Sequence, residues 1–356
     1  MSVRHSAEHL KAFAARAYVA VGISTPEAEA IAALQVESDL RGADGHGIFR
    51  LPQYIRRIKA GAVNVKPKIR IERERAGTAL VDGDNGMGHL VMGFAARTAI
   101  EKAKVAGIGW VGARMSNHAG PASLYAKMPL EAGMIGLYLA VGSANHLAPW
   151  GGLDMLLSTN PIAIAIPAQD EPPIVLDMAT TVAAYGKVKT AAQRGEQMPV
   201  GWMIDREGRP LTDPKRAGEG LLLPLGGMEA GFKGYGLSLV FGLLAGTLNG
   251  AAMGRDVIDF NNDDTSVTDT GHAIVAIDPS AFGDAGDIRA NVDALIRDIR
   301  DSKRLPGVDR IWMPGEQSHH RHIERARDGV PLPVPLAAGL DKLAAELGIP
   351  PLAASA

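Results

Sequence analysis

The spacing of short apolar runs constrains the fold of this 356-residue chain more than any single motif does. Up to about residue 70 the pattern is helical and shows no strand signal, whereas beyond it short runs rich in Val, Ile and Ala alternate with helical stretches. The runs are continuously apolar, which is typical of strands in a sheet covered on both faces. These predicted strands are 79–81, 108–111, 134–141, 162–166, 174–176 and 273–277.

Helical periodicity predicts the elements between and around these strands. Thr25, Pro26 and Glu27 supply an N-cap, a first-turn proline and an early acid, which together signal the start of a helix. The segment from Pro331 is expected to form a proline-rich turn ahead of the final helix. The predicted helices cover 7–22, 26–41, 49–60, 88–106, 182–194, 231–250, 286–302 and 335–347.

The composition narrows the class of protein. With 46% hydrophobic and 21% charged residues, the chain has the balance of a folded soluble protein. A net charge of −2 gives no basic surface for nucleic acid, so no nucleic-acid partner is expected. The absence of cysteine excludes disulfides, thiolate catalysis and cysteine-ligated metals. The amino terminus has neither an apolar core nor a cleavage signature, so we expect a cytoplasmic protein.

One stretch has the length and composition of a membrane span. Residues 235–254 contain no charged side chain. Gly242, Gly246 and Gly250 recur at the four-residue spacing of closely packed helices. The stretch also holds Ser238 and Asn249, and no other part of the chain resembles a span. It is therefore predicted to be a buried helix of a soluble core, without a membrane partner.

The segment 39–50 carries the strongest signal of chemistry. His46 lies between two glycines and can exchange a proton near neutral pH. Arg50 follows four residues later and can hold a carboxylate with two parallel hydrogen bonds. A proton donor beside a carboxylate clamp suits the reduction of a 2-oxo acid or a cyclic imino acid. The alternative is a helix that ends at Gly42, followed by a turn with a solvated histidine.

Further polar sites follow predicted strands. His118 stands among small residues ahead of a helix, where backbone amides can approach a ligand, or it simply caps and packs. Thr159 precedes a buried strand and fits either turn chemistry or contact with a carbonyl substrate. Asp177 closes a strand and either accepts hydrogen bonds from cofactor hydroxyls or caps the next helix. Lys187, on that helix, either steadies a developing negative charge or is solvated.

Two basic segments could hold phosphate. Lys233 stands among the glycines of 231–236 at the head of the uncharged helix, which suits a phosphate or a tightly packed turn. Arg304 and Arg310 bracket a Pro-Gly turn and either serve a 2′-phosphate or are structural.

Two familiar motifs are weak here. Gly86 and Gly88 follow a strand and open a helix, but Val91 occupies the third glycine position of a Rossmann fingerprint, and no acid is placed for a ribose. The histidines of 319–322 are interrupted by an arginine, which would repel a cation. We therefore expect a dinucleotide site of another design, a solvated turn at 319–322, and no metal.

In this order along the chain, the segments resemble the malate/L-lactate dehydrogenase family of the second type. That family is unrelated to Rossmann lactate dehydrogenases and includes sulfolactate and ureidoglycolate dehydrogenases, 2,3-diketo-L-gulonate reductase and piperideine-2-carboxylate reductase. The matching segments are 39–61, 116–120, 149–152, 159–168, 177–187, 199–202, 231–236 and 304–316.

The resemblance implies a fold class of its own: an α/β (α+β-like), non-Rossmann NAD(P)-binding fold with a large mixed, mostly antiparallel sheet packed by helices. It also implies a helical, dimerising domain of residues 1–70 with 331–356, and a cofactor-binding and catalytic domain of residues 71–330. The expected cofactor is NAD or NADP, the partner a small carboxylate substrate, and the assembly a homodimer or higher homo-oligomer whose subunits complete each other's sites.

The resemblance also assigns residues. His46 is expected to be the proton donor or acceptor and Arg50 the carboxylate anchor, with His118 as the base in some members. Thr159 matches a substrate contact. Positions matching cofactor contacts are His118, Ala119, Gly120, Pro121, Ala122, Ser143, Asp177, Met178, Ala179, Lys233, Gly234 and Arg304.

Two departures from the family pattern affect the predicted site. Gly45 replaces the serine that usually precedes the histidine, so a hydroxyl that would orient His46 is missing and Asp44 or a water is expected to replace it. Tyr185 replaces an arginine common in members that act on malate-like acids. Lys187 stands where piperideine carboxylate reductases carry an acid.

The sequence therefore predicts reversible hydride transfer between NAD(P)H and a small 2-oxo acid. Arg50 would hold the carboxylate, His46 would protonate the oxygen, and Lys187 or Thr159 would polarise it. Reduction of a cyclic imino acid remains an alternative within enzymes. A catalytically weak relative that binds a dinucleotide remains an alternative outside them.

Overall fold

The computed structural model describes residues 2–354. The strands within this range are β1 (Ser2–His5), β2 (Arg70–Glu74), β3 (Thr78–Asp82), β4 (Ile108–Ser116), β5 (Ile135–Ala140), β6 (Asn145–Leu147), β7 (Leu157–Ser158), β8 (Ile162–Ile166), β9 (Ile174–Met178), β10 (Met203–Ile204), β11 (Pro210–Leu211), β12 (Leu221–Leu222), β13 (Thr270–Ile277) and β14 (Val330–Pro333). The α-helices are α1 (Ala7–Ala20), α2 (Thr25–Leu40), α3 (Leu51–Lys59), α4 (Gly88–Ala106), α5 (Ser123–Ala126), α6 (Tyr185–Arg194), α7 (Gly227–Ala245), α8 (Ala285–Asp301), α9 (Glu316–Asp328) and α10 (Val334–Leu347).

A seven-stranded sheet forms the centre of the molecule. Its strand order is β2-β3-β4-β13-β5-β8-β9, and all neighbours are antiparallel except β3 and β4. This confirms the predicted large mixed, mostly antiparallel sheet. The six apolar runs found in the sequence all lie in this sheet, in β3, β4, β5, β8, β9 and β13.

Both faces of the central strand β13 are covered. Ile274 and Ala276 point towards the core that contains helix α4, and Ala273 packs in a second cluster with Ala245 of helix α7. Because successive side chains of a strand point to opposite faces, these residues bury both sides of the sheet. The continuously apolar sequence of this strand is therefore explained by helices on either side.

The two ends of the chain meet in a helical core. Helices α1, α2, α3 and α10 share one cluster of buried side chains that includes Phe13 and Leu340. Two expectations are wrong here, because β1 pairs antiparallel with β14 where the sequence predicted a strandless start and a proline-rich turn. Residues 1, 355 and 356 of the predicted two-part domain division lie outside the described range, and the division stays a prediction.

The histidine-rich segment 319–322 forms part of helix α9, and the predicted solvated turn is wrong. The helix packs on α2, and His322 Nε2 lies 3.3 Å from Glu37 Oε2. Among residues 2–354, no group of three or more His, Cys, Asp or Glu side chains is placed to hold a metal ion.

Helix α7, whose charged residues Glu229 and Lys233 lie in its first two turns, is buried on one face only. Ala230 has non-helical angles (φ −123°, ψ 16°), so regular helix begins at Gly231 as the sequence indicated. Gly234, Ser238 and Gly242 face the protein. By length and composition, 227–249 is the one described helix able to cross a membrane, but only 33% of its apolar 18-residue window is buried. The predicted buried helix of a soluble core is therefore only partly buried in the isolated chain.

Candidate active site

The segment that carries His46 is a tight loop between α2 and α3. Two short 3₁₀ turns, Asp44–His46 and Ile48–Arg50, follow the end of α2. Asp39 of α2 lies beneath them, and its carboxylate accepts a hydrogen bond from the Ile48 N–H at 2.7 Å. A Cβ atom on Gly47 would lie 2.0 Å from that carboxylate, so only glycine fits. Burial raises the pKa of Asp39 to about 8.

Asp44 does not take the place of the missing serine hydroxyl. Its carboxylate forms a two-point ion pair with the guanidinium of Arg325 in α9, and Arg325 also donates to the Asp39 carbonyl. Asp44 thus fixes the outer side of the loop and is directed away from His46. Gly45, by contrast, is open, since an added Cβ there would meet no atom within 4 Å.

His46 and His118 form a stacked pair. His46 Nδ1 lies 3.3 Å from His118 Nε2, the ring centroids are 5.3 Å apart and the ring planes differ by 7°. The two histidines that the sequence left as competing bases are therefore hydrogen-bonded neighbours. Nε2 of His46 is directed away from this bond and has no hydrogen-bond partner among the described residues.

His118 is held from three sides. Its Nδ1 lies 2.6 Å from the Tyr54 hydroxyl and accepts a longer hydrogen bond, 3.4 Å, from the Gly120 N–H. The ring of Phe260 stacks on it at 5.0 Å. Gly88 permits this arrangement, because a Cβ there would lie 2.1 Å from the Asn117 carbonyl of the same loop.

Burial keeps both imidazoles neutral at physiological pH. Loss of water and then the charge of Arg50 lower the pKa of His46 to about 4. Burial lowers the pKa of His118 in the same direction, with His46 and Arg50 as further causes. His89, at the start of α4, is also buried, and neither ring nitrogen has a hydrogen-bond partner within residues 2–354.

Arg50 is fixed so that one edge of its guanidinium stays available. Nε donates to the Gly45 carbonyl at 2.9 Å, and Nη1 donates to Gln53 at 2.6 Å and to Asn261 at 3.1 Å. In the part of the chain that the structure describes, Nη2 has no such partner. A preorganised guanidinium with a free donor is suited to a carboxylate ligand.

Helix α6 carries two lysines near this region. The side chains of Lys187 and Lys189 are both exposed, and neither makes a hydrogen bond or ion pair with another described residue. Lys189 lies with its Nζ 5.6 Å from the Tyr185 ring, and Tyr185 stacks on His146 at 4.0 Å. Burial and the charge of Arg50 lower the pKa of Lys189, and Asp259 raises it. These groups therefore lie within electrostatic reach of Arg50.

Several predicted cofactor residues are connected to the histidine pair. The loop 118–122 is tied to the end of β9, because Asp177 Oδ2 accepts the Ser123 N–H at 2.9 Å. The Ser143 carbonyl accepts the Phe260 N–H at 2.9 Å. Thr159 lies beside that segment, and its carbonyl accepts hydrogen bonds from both the amide and the hydroxyl of Thr180.

The remaining residues predicted to bind phosphate differ in their surroundings. Lys233 is exposed on α7, whereas a Cβ at Gly234 would lie 2.3 Å from the Leu225 amide, so that glycine serves close packing. Arg304 donates to the Asp309 carbonyl. Arg310 pairs with Glu316 and lies over the Trp312 ring at 4.3 Å. Within the described chain both arginines therefore already have structural partners.

The groups on the cofactor side suit a dinucleotide. The Asp177 carboxyl is hydrogen-bonded by both the amide and the side chain of Ser123, and at the exposed end of β9 it can also receive sugar hydroxyls. Gly120 has a left-handed backbone (φ 82°), and only small side chains follow it to Ala122, so a ligand can approach the main chain closely. Lys233 offers a charge for phosphate. The residues present therefore fit the cofactor that the family implies.

Four residues of this cluster were not found from the sequence. Tyr54 follows Arg50 at helical spacing, so the face shared with the loop could have indicated it. Gln53 precedes it on α3. Phe260 and Asn261 come from a loop more than 200 positions away, and their approach depends on tertiary structure that local patterns do not encode.

This geometry defines a class of enzyme. A neutral imidazole with a free nitrogen lies on the same short loop as an arginine with a free donor, which suits proton exchange at an oxygen beside a carboxylate. The chain belongs to the malate/L-lactate dehydrogenase family, since the model of that family matches residues 5–341.

Individual relatives agree over nearly the whole chain. A malate dehydrogenase from Pyrococcus horikoshii is 37% identical over 351 residues, covering 98% of this chain and 96% of the relative, and its solved structure superposes with a TM-score of 0.90. An L-sulfolactate dehydrogenase from Methanocaldococcus jannaschii is 37% identical and covers 92% of both chains. A Δ1-piperideine-2-carboxylate reductase from Pseudomonas syringae, 28% identical, superposes with a TM-score of 0.83 over 96% of this chain and 99% of that one.

The family membership and fold class that the sequence predicted are thus confirmed. The protein is an oxidoreductase of 2-hydroxy and 2-oxo acids, and it uses a nicotinamide dinucleotide.

Proposed function

We propose that this enzyme interconverts a small 2-oxo acid and its 2-hydroxy acid, with Arg50 as the carboxylate anchor and His46 as the acid–base group. The observation that carries the assignment is the position of both side chains on one loop. Arg50 Nε donates a hydrogen bond to the Gly45 carbonyl, and the His46 ring is hydrogen-bonded to His118. The loop thereby fixes the distance between carboxylate binding and proton transfer.

Substrate binding adjusts the acidity of His46. The charge of Arg50 lowers the pKa of His46, so a carboxylate that neutralises Arg50 raises that pKa towards its ordinary value. His46 then takes up a second ring proton and, as the imidazolium ion, delivers the proton on Nε2 to the substrate oxygen during reduction, which leaves the ring neutral. Oxidation runs through the same steps in reverse.

The nicotinamide supplies or accepts the hydride when it is bound. The chain contributes orientation and a dry environment: Phe260 and Tyr54 close the inner side of the histidine pair, and Arg50 fixes the acid. Positioning of this kind accounts for a large part of enzymatic rate acceleration.

A substrate panel tests this proposal. Pyruvate, oxaloacetate, 3-sulfopyruvate and Δ1-piperideine-2-carboxylate are assayed with NADH and with NADPH. We expect turnover of 2-oxo acids by one of the two cofactors. Turnover of the cyclic imine alone would replace the proposal with imino acid reduction. Cofactor binding without turnover of any acid would identify a catalytically weak relative.

We further propose that the preferred substrate carries a second anionic group, bound by Lys189. Two of the relatives named above are a malate and a sulfolactate dehydrogenase, and both of these substrates have such a group. Lys189 lies against the Tyr185–His146 stack, and burial and the charge of Arg50 lower its pKa. It therefore offers a cation at a distance from the first anchor, whereas the sequence assigned Lys187 to polarising the substrate oxygen.

The two lysines of helix α6 form a matched test. Lys189→Met is expected to raise KM for oxaloacetate roughly 10-fold and to leave KM for pyruvate unchanged, as expected for the loss of one charged hydrogen bond. Lys187→Met is the control on the same helix. The reverse result, with Lys187→Met as the variant that raises KM for oxaloacetate, would reject the assignment of Lys189.

The exposed face of α7 supports a homodimer. Phe232, Val240 and Leu243 are 52%, 50% and 43% exposed on helix α7, which carries no charged residue from 234 to 245, and contiguous apolar surface of this kind marks an interface. A second copy of the chain is the proposed occupant. Light scattering is expected to show a dimer for the wild type and monomers for Val240→Asp. A monomeric wild type would reject this assembly.

The cytoplasmic location of the protein remains a prediction.

A further inference from the structure

We propose that Tyr54 is a positioning residue for catalysis, because its hydroxyl sets which nitrogen of His118, and through it which nitrogen of His46, carries a proton. The inference rests on the proposed role of His46 and extends it to a residue that never contacts the substrate. Tyr54 is 2% exposed, on the inner face of α3.

The hydrogen bonds of His118 determine its tautomer. The Gly120 N–H can only donate, and it points at Nδ1 from 3.4 Å, so Nδ1 carries the lone pair. The Tyr54 hydroxyl, 2.6 Å from the same nitrogen, then donates to it as well. The ring proton of neutral His118 must therefore be on Nε2.

That proton fixes the state of His46 in turn. His118 Nε2–H donates to His46 Nδ1 over 3.3 Å, so the proton of neutral His46 is on Nε2, the nitrogen directed away from the pair. The resting enzyme consequently presents a donor to the substrate oxygen. Loss of the Tyr54 hydroxyl leaves Nδ1 of His118 with only the long Gly120 bond, and both rings can then exchange tautomers.

The tyrosine itself does not supply the proton. Burial raises the pKa of Tyr54 far above its usual value, so the hydroxyl stays protonated. The other groups that face the pair are Arg50 from the same side, His89 from α4 and His272 from β13, and all of them disfavour positive charge on His118. Tyr54 acts in the same direction, because it donates to the neutral ring.

Tyr54→Phe tests the proposal, with Tyr138→Phe as the matched control. Tyr138 also bonds Nδ1 of a buried histidine, His272, at 2.7 Å. Both variants lose one buried hydroxyl and are expected to melt at similarly lowered temperatures. Only Tyr54→Phe is expected to lower kcat/KM roughly 10-fold and to move the pH profile of kcat/KM upward by about one pH unit, with KM for the cofactor unchanged. An unshifted profile for Tyr54→Phe, or equal shifts for both variants, would overturn the proposal.

Nitrogen NMR of the resting wild-type protein gives a second test that needs no variant. In histidine-labelled enzyme, we expect Nε2 of both His46 and His118 to be protonated and Nδ1 of both to be unprotonated. The opposite tautomer in either ring overturns the assignment of Tyr54 even if His46 proves essential. Conversely, an active His46→Ala enzyme would reject the proposed function while leaving the tautomers as described.

Discussion

Two buried tyrosine–histidine pairs in this protein share their chemistry and differ in their surroundings. Tyr54 bonds Nδ1 of His118, and Tyr138 bonds Nδ1 of His272, at 2.6 and 2.7 Å. Burial lowers the pKa of both imidazoles. The second nitrogen of His272 contacts the Asn117 carbonyl, whereas that of His118 contacts His46.

The difference shows how one arrangement can be structural or functional. The Asn117 carbonyl cannot take up or release a proton, so the His272 pair ends in the backbone and fixes the loop next to His118. His46 can do both and lies on the loop that holds the substrate anchor. The function of a buried histidine thus follows from what its second nitrogen contacts.

The largest expected effect is a difference in kcat between variants of His46 and of His272. His46→Gln removes the proton donor and is expected to lower kcat by about 10² to 10⁴-fold, the usual range for a general acid or base. His272→Gln is expected to lower the melting temperature and to keep kcat within a few-fold. Stopped-flow and steady-state assays measure the first effect, and calorimetry the second. Comparable kcat losses in both variants would remove the distinction.

Acid should remove the stability contributed by the structural pair, together with that of His46 and His118, whose pKa values burial also lowers. The folded pKa of His272 is lowered from 6.5 to about 4, so its neutral form stabilises the protein fully above pH 6.5. This contribution is lost as the pH falls from 6.5 through 4 and amounts to about 3 kcal/mol. Urea unfolding of the wild type at a series of pH values should show the decline. His272→Gln should make this decline less steep, and an unchanged slope would contradict the shift.

Two arginines lie over the same Phe260 ring and allow a third test. Arg50 keeps a free donor, whereas Arg57 donates to the Asp263 and Ser266 carbonyls. Arg50→Lys is expected to lower kcat/KM for the acid by roughly 10- to 100-fold, because lysine lacks the planar fork. Arg57→Lys should cost stability alone. A normal KM for the acid in Arg50→Lys would place the carboxylate elsewhere.

The smallest expected effect concerns the residue before His46. Gly45→Ser places a hydroxyl beside the histidine, in a space where no atom lies within 4 Å of the new Cβ. We expect a rise of kcat/KM by roughly 2- to 10-fold, the contribution of one neutral hydrogen bond. Gly45→Ala fills the same space without the hydroxyl and serves as control. Equal rates in the two variants would show that the hydroxyl is unnecessary here.

Sequence patterns predicted the regular parts of the fold well. The strands of the central sheet and the helices on its faces have continuous apolar runs and clear periodicity, and the family signature was specific enough to identify the sheet type. The patterns failed where pairing is long-range: β1 with β14 joins opposite ends of the chain, and β14 contains prolines that locally indicate a turn. Helix α9 was missed because its polar, histidine-rich sequence has little apolar periodicity.

The sequence indicated which residues form the candidate site, but not how they are arranged. The sequence contained His46, Arg50 and His118, yet nothing in it showed that the histidines contact each other or that Asp44 is directed to Arg325. Those facts depend on distances between segments separated by more than 70 positions. The individual cofactor assignments, Arg304 and Arg310 among them, stay predictions.

The glycines on either side of His46 have opposite tolerance to change. Position 45 borders open space, while position 47 is pressed against the Asp39 carboxyl. A library for directed evolution of substrate preference should therefore randomise Gly45 and leave Gly47 constant. A side chain at position 47 would collide with Asp39 and distort the loop, whereas a side chain at position 45 would add a new group beside His46.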